Sequence, residues 1–457
     1  MSRLTGPVPK EIFDKIDIEC SFMYPGSEFM PEVRNMMWDG CRHLFSTKTG
    51  MFPTGLTSRV KKIIEDSGMS VEVIPPSIEP VYISVGEFVL DVRDYQDQAL
   101  EAIRNNRIGV VRSPTGSGKT EIVCGTIYEK KVPTFILVHR KELLYQMQER
   151  IKKRLGIQAG IVGDGHEEYS DVCVGMVQTL MHALGIVSKD KLTKDNTVLL
   201  HKECLSKYQL LIADEVHMIG ASVFYKVSKA FNNTLYRYGF SATPTLREDS
   251  PLLVEAAFGP LIFSKTISDL KGKYLADVDL YFIQFKHGKV NRALRYPDLY
   301  KIEVINNISR NKLIVDLVDK CGDKRVLIAV RNIEHGKILE KLISGSVFVH
   351  GSMKGAERAK YMNMLENKSI RRIIATAVWE QGVDIPSLEV LIDTRAEKSA
   401  IAFVQLVGRV MRKTDLKNRA IVLDIFDTGC RWLSTHSQDR LDIATREIGE
   451  VNFVKSF

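Results

Sequence analysis

The sequence predicts an α/β protein, with two parallel-sheet domains in tandem behind a small N-terminal α+β domain. Two observations carry that expectation. Apolar runs of about four or five residues alternate with stretches of helical spacing, the pattern of strands covered on both faces, and the series occurs twice along the chain. At the end of the first run stands Ser113-Pro114-Thr115-Gly116-Ser117-Gly118-Lys119-Thr120, followed by the helix-compatible stretch Glu121 to Tyr128. Strand, glycine-rich loop and helix together form the setting in which an open sheet binds phosphate. At 457 residues the chain exceeds what a single core holds.

Residues 1–85 read as the small domain. Alternation from Lys15 to Cys20 predicts a strand, spacing predicts a helix from Ser58 to Asp66, and Ser70 to Ile74 predicts another strand. Pro75-Pro76 and Pro80 predict a linker that ends near Gly86. The aromatics Phe22, Tyr24, Phe29, Trp38, Phe45 and Phe52 are expected to fill most of this domain's core. Residues 86–263 form the first sheet domain, with strands at 109–112, 134–138, 172–175, 210–213 and 237–240. Residues 264–457 form the second, with strands at 325–330, 347–349, 372–375, 390–392 and 420–423. Within it, residues 264–300 read as a connection, and Trp432 to Glu447 as a helical extension to which the sequence assigns no chemistry.

Composition narrows the class. The 44% hydrophobic and 26% charged content is that of an ordinary globular protein. No apolar run approaches the roughly 18 residues of a membrane helix, and Met1-Ser2-Arg3-Leu4 opens no signal-like segment. A cytoplasmic protein without membrane contact is therefore expected, in a host cytoplasm if the protein is a phage's. Seven cysteines are scattered without a C-x-x-C pair, which predicts reduced thiols with neither zinc site nor disulfide frame. Net charge is +8, yet residues 1–85 hold 9 basic and 11 acidic side chains. The basic surplus, and with it any polyanionic partner, is expected on the sheet domains.

Four segments carry chemistry. Behind Pro114, the small residues Thr115, Gly116, Ser117 and Gly118 let successive backbone N–H groups turn onto phosphate oxygens. Lys119 is placed to reach the β/γ-phosphates, and Thr120 to hold Mg²⁺. Ser113 stands where the strict pattern has glycine. Asp214-Glu215-Val216-His217 closes an apolar strand, where Asp214 suits the hold on Mg²⁺ and Glu215 the deprotonation of an attacking water. Ser241-Ala242-Thr243-Pro244 follows the next strand. In Gln405-Leu406-Val407-Gly408-Arg409-Val410-Met411-Arg412, Arg409 and Arg412 are spaced one helical turn apart on one face. Guanidinium groups from another domain can stabilise the charge of a transferring phosphoryl group.

In this order the four segments resemble motifs I, II (a DExH box), III and VI of the superfamily 2 helicases. The resemblance covers about residues 87–428. It implies two RecA-like domains with ATP in the cleft and a nucleic-acid strand tracked across both. It also implies further roles: Arg93 and Gln96 for the adenine, Gly382 and Asp384 of a motif V segment for the nucleotide, and Gln405 beside the catalytic arginines. His139-Arg140-Lys141 and Gln178-Thr179-Leu180 resemble motifs Ia and Ib, and Arg331-Asn332 and His350-Gly351 the nucleic-acid-facing turns of the second motor domain. Arg140, Thr179, Arg331 and Thr376 are the strand contacts so implied. His217 stands where related motors couple nucleotide to strand, and Trp379 reads as packing.

The spacing, the box and the small N-terminal domain are most similar to the XPB/UvsW-like branch, as is Phe52-Pro53-Thr54-Gly55-Leu56. That branch implies an ATP- and Mg²⁺-dependent DNA helicase or translocase, a monomer, working on branched or duplex DNA in recombination, repair or replication, with residues 1–85 as a junction-recognising accessory. A DExH RNA helicase and a nucleotide-switched clamp without productive unwinding stay open beside it. The complete set Lys119, Glu215, Arg409 and Arg412 favours turnover over the clamp.

Overall fold

A computed structural model describes residues 1–89, 92–186, 202–216, 221–242, 251–291, 293–376, 387–414 and 417–455. The chain forms two compact units, Met1–Ser113 with Gly118–Ser264 and Lys265–Phe457 with Pro114–Ser117.

The first unit is built on an eight-stranded sheet. Its order is Leu261–Ser264, Ile108–Arg112, Tyr236–Ser241, Leu210–Asp214, Thr134–Val138, Val172–Met176, Gly160–Gly163 and His166–Glu167. All neighbours run parallel except the last pair. Phe135, Ile136, Leu137 and Val138 are all fully buried, as a strand covered on both faces requires. Parallel strands put their C-terminal ends on one edge, so Ser113 and Asp214 emerge on the same side, with Tyr236–Ser241 between their strands.

Residues 1–85 share a core with this sheet. Ile12, Ile16, Phe45, Phe52, Leu56, Val60 and Ile64 belong to one apolar cluster with Leu252, Ala256 and Phe258. The contact at the helix Pro251–Phe258 is close: a Cβ on Gly55 would lie 1.9 Å from the Glu255 carbonyl oxygen. Arg59 grips the Glu255 carboxylate with two N–H groups, at 2.6 and 3.1 Å. The expected strand at Lys15 to Cys20 is instead part of the helix Lys10–Glu19, because Ile12, Ile16 and Cys20 recur every fourth residue and are buried together. The helix expected from Ser58 is Thr57–Asp66.

The strand expected at Ser70 to Ile74 does not form. Residues 70–89 form no helix or strand and are strapped along the first unit by single bonds. The Ile83 N–H donates to Lys131 O at 2.8 Å and the Val89 N–H to Arg154 O at 3.0 Å. The Gln209 amide accepts from Val81 N–H and donates to Glu79 O, both at 2.7 Å. Of the N-terminal aromatics, Phe45 and Phe52 are core, whereas Phe29 is 70% exposed.

The second unit carries a seven-stranded parallel sheet in the order Ser346–Val349, Arg372–Ala375, Val326–Ala329, Val390–Asp393, Arg419–Thr428, Asp277–Lys286 and Asn452–Val454. Residues 264–300 are therefore more than a connection. Asp277–Lys286 pairs along its whole length with Arg419–Thr428. Its buried Val278, Leu280 and Phe282 alternate with half-exposed Asp277, Asp279 and Tyr281, and Leu280-Tyr281-Phe282-Ile283 is an apolar run within it.

Candidate active site

The strand Ile108–Arg112 runs into Ser113 and a loop whose shape depends on two glycines. Gly116 and Gly118 stand at φ = 81° and 85°, left-handed values that other residues adopt only with strain. Ser117 Oγ donates to Pro114 O at 2.6 Å and closes the loop on itself. Gly118 precedes the helix Lys119–Lys130, so the loop sits at a helix N-terminus, the positive end of its dipole. Gln96 is buried against this loop: a Cβ at Gly118 would lie 2.7 Å from its Nε2. Its Oε1 accepts the Arg93 N–H at 2.9 Å, which fixes the start of the helix Asp94–Asn105.

Two strands along, Leu210–Asp214 delivers the carboxylates. Glu215 adopts φ = 52°, a left-handed conformation that costs a glutamate about 1 kcal/mol or more. In this conformation its Oε1 lies 3.0 Å from Lys119 Nζ. Lys119 also donates to Ser113 O at 3.4 Å. Asp214 is 8% exposed, and its Oδ1 accepts no hydrogen bond among the described residues. Burial, and secondarily the Glu215 charge, push its pKa up to about 7 against the pull of Lys119. A buried carboxylate oxygen without a donor is costly, and a cation is the partner that answers both the missing bond and the raised pKa. The donors at hand, Asp214 and the Thr120 hydroxyl, are oxygens and suit a hard ion such as Mg²⁺. No cluster of three or more His, Cys, Asp or Glu that could hold a metal exists among the described residues. An ion here would thus complete its shell with phosphate and water oxygens, as Mg²⁺ on a nucleotide does.

In the second unit, Gln405 and Arg409 lie on the helix Ala400–Val410, which Ser399 caps by accepting the Ala402 N–H at 3.3 Å. Phe403, Val404 and Val407 bury its inner face. The helix ends before Arg412, which instead forms a β-bridge with Leu275. The two arginines therefore occupy a last turn and the chain beyond it, and do not share one helical face. The exit is held by Lys417, which is buried and donates to Val410 O and Leu388 O, both at 2.8 Å. Burial pushes its pKa down to about 8.

The approach to that helix is held as firmly. Arg310, Tyr300 and Arg440 donate to the carbonyls of Thr394 (3.0 Å), Arg395 (2.7 Å) and Glu397 (2.9 Å) respectively. Each buried guanidinium is neutralised in two-point contact: Arg310 by Asp427, Arg440 by Asp424, and Arg395 by Asp393. His287 bridges Asp427 and Glu303 at 3.0 and 2.8 Å. Sequence reading passed over these residues. The signal available was an aspartate ending or interrupting an apolar strand, as in Val390-Leu391-Ile392-Asp393. Arg440 and His436 also give the C-terminal helix Arg431–Glu447 a role in this network.

The expected strand contacts divide by exposure. The Arg331 side chain is 42% exposed in the turn after Val326–Ala329. Arg140 is half-buried at the entry to the helix Lys141–Leu155. Thr179 and Thr376, at 7% and 9% exposure, offer a ligand little surface. Gln178 Nε2 donates to His139 O at 2.7 Å and ties those two loops together. Gly382 and Asp384 lie outside the described residues, as do His217, Thr243, Pro244 and Trp379.

Residues 89–246 match the family of type III restriction enzyme res subunits, and residues 309–414 match the helicase conserved C-terminal domain. The DNA 3'-5' translocase XPB2 of Sulfurisphaera tokodaii is 24% identical over 382 residues, spanning 74% of this chain and 82% of that protein. The ATP-dependent DNA helicase uvsW of Enterobacteria phage T4 is 25% identical over 459 aligned positions, spanning 89% of this chain and 85% of that protein. Among solved structures, Saccharomyces cerevisiae Dbp5 bound to RNA and ADP BeF3 superposes with a TM-score of 0.54 at 16% identity, over 79% of this chain and 89% of that one. That likeness shows the fold: two RecA-like domains in tandem. With the loop before Lys119, the Asp214-Glu215 strand end and both family matches in one order, the chain carries the domain pair of the superfamily 2 helicases and is similar to those of the XPB/UvsW type.

Proposed function

We propose that this ATP-driven motor acts on DNA and remodels branched forms of it, such as forks and Holliday-type junctions. The observation that carries the motor reading is the Lys119–Glu215 pair at 3.0 Å beside the donorless Asp214 oxygen, all at the edge where the glycine loop opens. Support for DNA comes from the two relatives above, each named for action on DNA and matched over most of its length.

ATP, when bound, supplies the phosphoryl chemistry. The amides behind Pro114, from Thr115 to Gly118, and the Lys119 ammonium hold its phosphates. Thr120 and Asp214 would hold Mg²⁺, which would neutralise phosphate charge there. Glu215, freed from Lys119 once phosphate takes the ammonium, accepts the proton of the attacking water. Arg93 and Gln96 place the base, while Gln405, Arg409 and Arg412 serve the developing phosphoryl charge. Arg140 and Arg331 grip the backbone, with Thr179 and Thr376 beyond the neighbouring strands Val172–Met176 and Arg372–Ala375. Such contacts position without reading sequence. Residues 1–85 meet the branch, and the protein works as a cytoplasmic monomer.

The deciding experiment is strand exchange on synthetic four-way junctions with the wild type and Lys119→Ala, alongside ATPase stimulation by junction DNA, linear duplex and RNA. ATP-dependent junction remodelling by the wild type alone, with junction DNA the best stimulator, is expected. Inactivity on every branched DNA together with unwinding of RNA would overturn the reading.

A further inference from the structure

The second unit holds a contact that links a strand-facing arginine to the helix carrying Gln405 and Arg409. Arg331 Nε lies 3.8 Å from Glu397 Oε2, and its guanidinium sits 5.3 Å above the ring of Tyr300. Tyr300 is buried, and its hydroxyl donates to Arg395 O at 2.7 Å. Glu397 in turn offers its carbonyl to Arg440 at 2.9 Å and stands two residues before Ser399, the cap of that helix. Between Arg395 and Glu397, Ala396 holds φ = 48°, a strained left-handed value for a residue with a Cβ. One short loop therefore touches Arg331 with its side chain and begins the arginine helix with its backbone.

The backbone and side chain of this loop are held with unequal strength. Its carbonyls are gripped by buried donors, the neutral Tyr300 hydroxyl and the aspartate-paired Arg310 and Arg440. The Arg331–Glu397 pair is long, and the two side chains are 42% and 22% exposed. Solvent and salt screen such a pair. A phosphodiester offers the guanidinium two oxygens in the planar geometry it favours, at the high local charge of a polyanion. Phosphate should therefore win Arg331 from Glu397.

Resting on the reading of Arg331 as a backbone contact, we propose that Glu397 is a positioning residue that senses the strand. It holds Arg331 when no strand is bound, and it passes the arginine's capture by phosphate through residues 394–399 to the helix of Gln405 and Arg409. Glu397 touches neither nucleotide nor strand in this scheme. It acts through Arg331 on one side and through the helix cap on the other.

The test uses the full-length protein, a fluorescent single-stranded oligothymidylate without nucleotide, and ATPase with and without saturating junction DNA. Glu397→Gln removes the competitor, so strand affinity rises about fivefold and DNA stimulation of ATPase falls by a similar factor, while the KM for ATP measured without DNA is unchanged. Arg331→Ala weakens strand binding and lowers its salt slope by about 1. Adding Glu397→Gln to Arg331→Ala changes affinity no further. If Arg331→Ala binds as the wild type does, the contact reading fails and the sensor with it. If Arg331→Ala is weakened but Glu397→Gln keeps both wild-type affinity and stimulation, the sensor alone is overturned. Should Glu397→Gln melt early, Tyr300→Phe keeps the ring and removes the bond to Arg395. It must lower stimulation at unchanged strand affinity, and unchanged stimulation would overturn the sensor.

Discussion

Each motor domain holds a cation on a glutamate, and the two pairs differ in depth. Lys119 and Glu215 meet at 3.0 Å with side chains 11% and 17% exposed, whereas Arg331 and Glu397 stand 3.8 Å apart at 42% and 22%. In a shielded site an ion pair is strong, and only a ligand that brings both charge and an ordered set of donors displaces it. In a half-exposed site any phosphate competes, whatever the sequence that bears it. The deep pair suits one nucleotide bound in one pose. The shallow pair suits a backbone gripped and released many times. The domains also treat buried charge differently. The first leaves Asp214 Oδ1 without a donor at its ligand edge, while the second satisfies Arg310, Arg395 and Arg440 internally.

The largest expected effect breaks the deep pair. Glu215→Gln should lower ATP turnover by about 100- to 10,000-fold, the range for losing a positioned base, with the thermal melt within a few degrees of wild type. Phosphate release and circular dichroism measure the two sides. A variant that keeps a tenth of wild-type turnover would remove Glu215 from the chemistry.

Next comes the internal network. Arg440→Met strands Asp424 in the core and should cost about 3–5 kcal/mol in guanidinium unfolding. Adding Asp424→Leu should recover most of that loss, because an apolar pair of similar volume avoids the uncompensated charge. Absence of recovery would mean that Arg440 matters through its bonds to the carbonyls of Glu397, His436 and Ile425.

A smaller effect tests the N-terminal seam. Gly55→Ala places a methyl carbon on the Glu255 carbonyl and should cost about 1–3 kcal/mol, the range for overpacking. It should also open residues 70–89 to protease, read by limited digestion. An unchanged melt and digest would show that the seam yields without cost.

The last concerns pH. Burial, and secondarily the Arg310 charge, depress the pKa of His335 to about 3 from its ordinary 6.5. The native state keeps it neutral while the unfolded chain protonates at about 6.5, so the unfolded state binds more protons between those values. Its contribution is therefore complete above about 6.5 and is lost as pH falls towards 3, at about 1.4 kcal/mol per pH unit. His335→Gln, compared with wild type between pH 7 and 5, should show that slope only in the wild type. Parallel curves would place the titration elsewhere.

The parts legible in the sequence share one property: each is a contiguous string at a strand end. Ser113 to Thr120 and Asp214-Glu215 could be found because a parallel sheet puts such ends at its ligand edge. The left-handed turn at Glu215 was not legible, since nothing in Asp-Glu-Val-His demands a positive φ. Asp277–Lys286 was legible only in part, as the apolar run Leu280-Tyr281-Phe282-Ile283, because Asp277, Asp279 and Lys286 give its ends the look of a connection. Ile16 and Ile18 imitated a strand because Ile18, an apolar residue 73% exposed on the far side of the helix from buried Ile16, completes an alternating string. The buried arginines stayed invisible for a different reason. Arg310, Arg395 and Arg440 look like surface residues until Asp427, Asp393 and Asp424 are seen beside them, and Arg310 and Asp427 lie 117 positions apart.

The strand Asp277–Lys286 also sets a timetable. Both of its sheet neighbours, Arg419–Thr428 and Asn452–Val454, are made after every other strand of the second domain. During synthesis it waits on the order of ten seconds with both edges open, in the form in which strands pair with the wrong partner. The rest of the sheet can assemble from Val326 onward while this early strand cannot. Chains stopped before Arg419 should therefore collect in inclusion bodies, and chains released after Val454 should stay in solution, so that the last tenth of the sequence decides whether the middle folds.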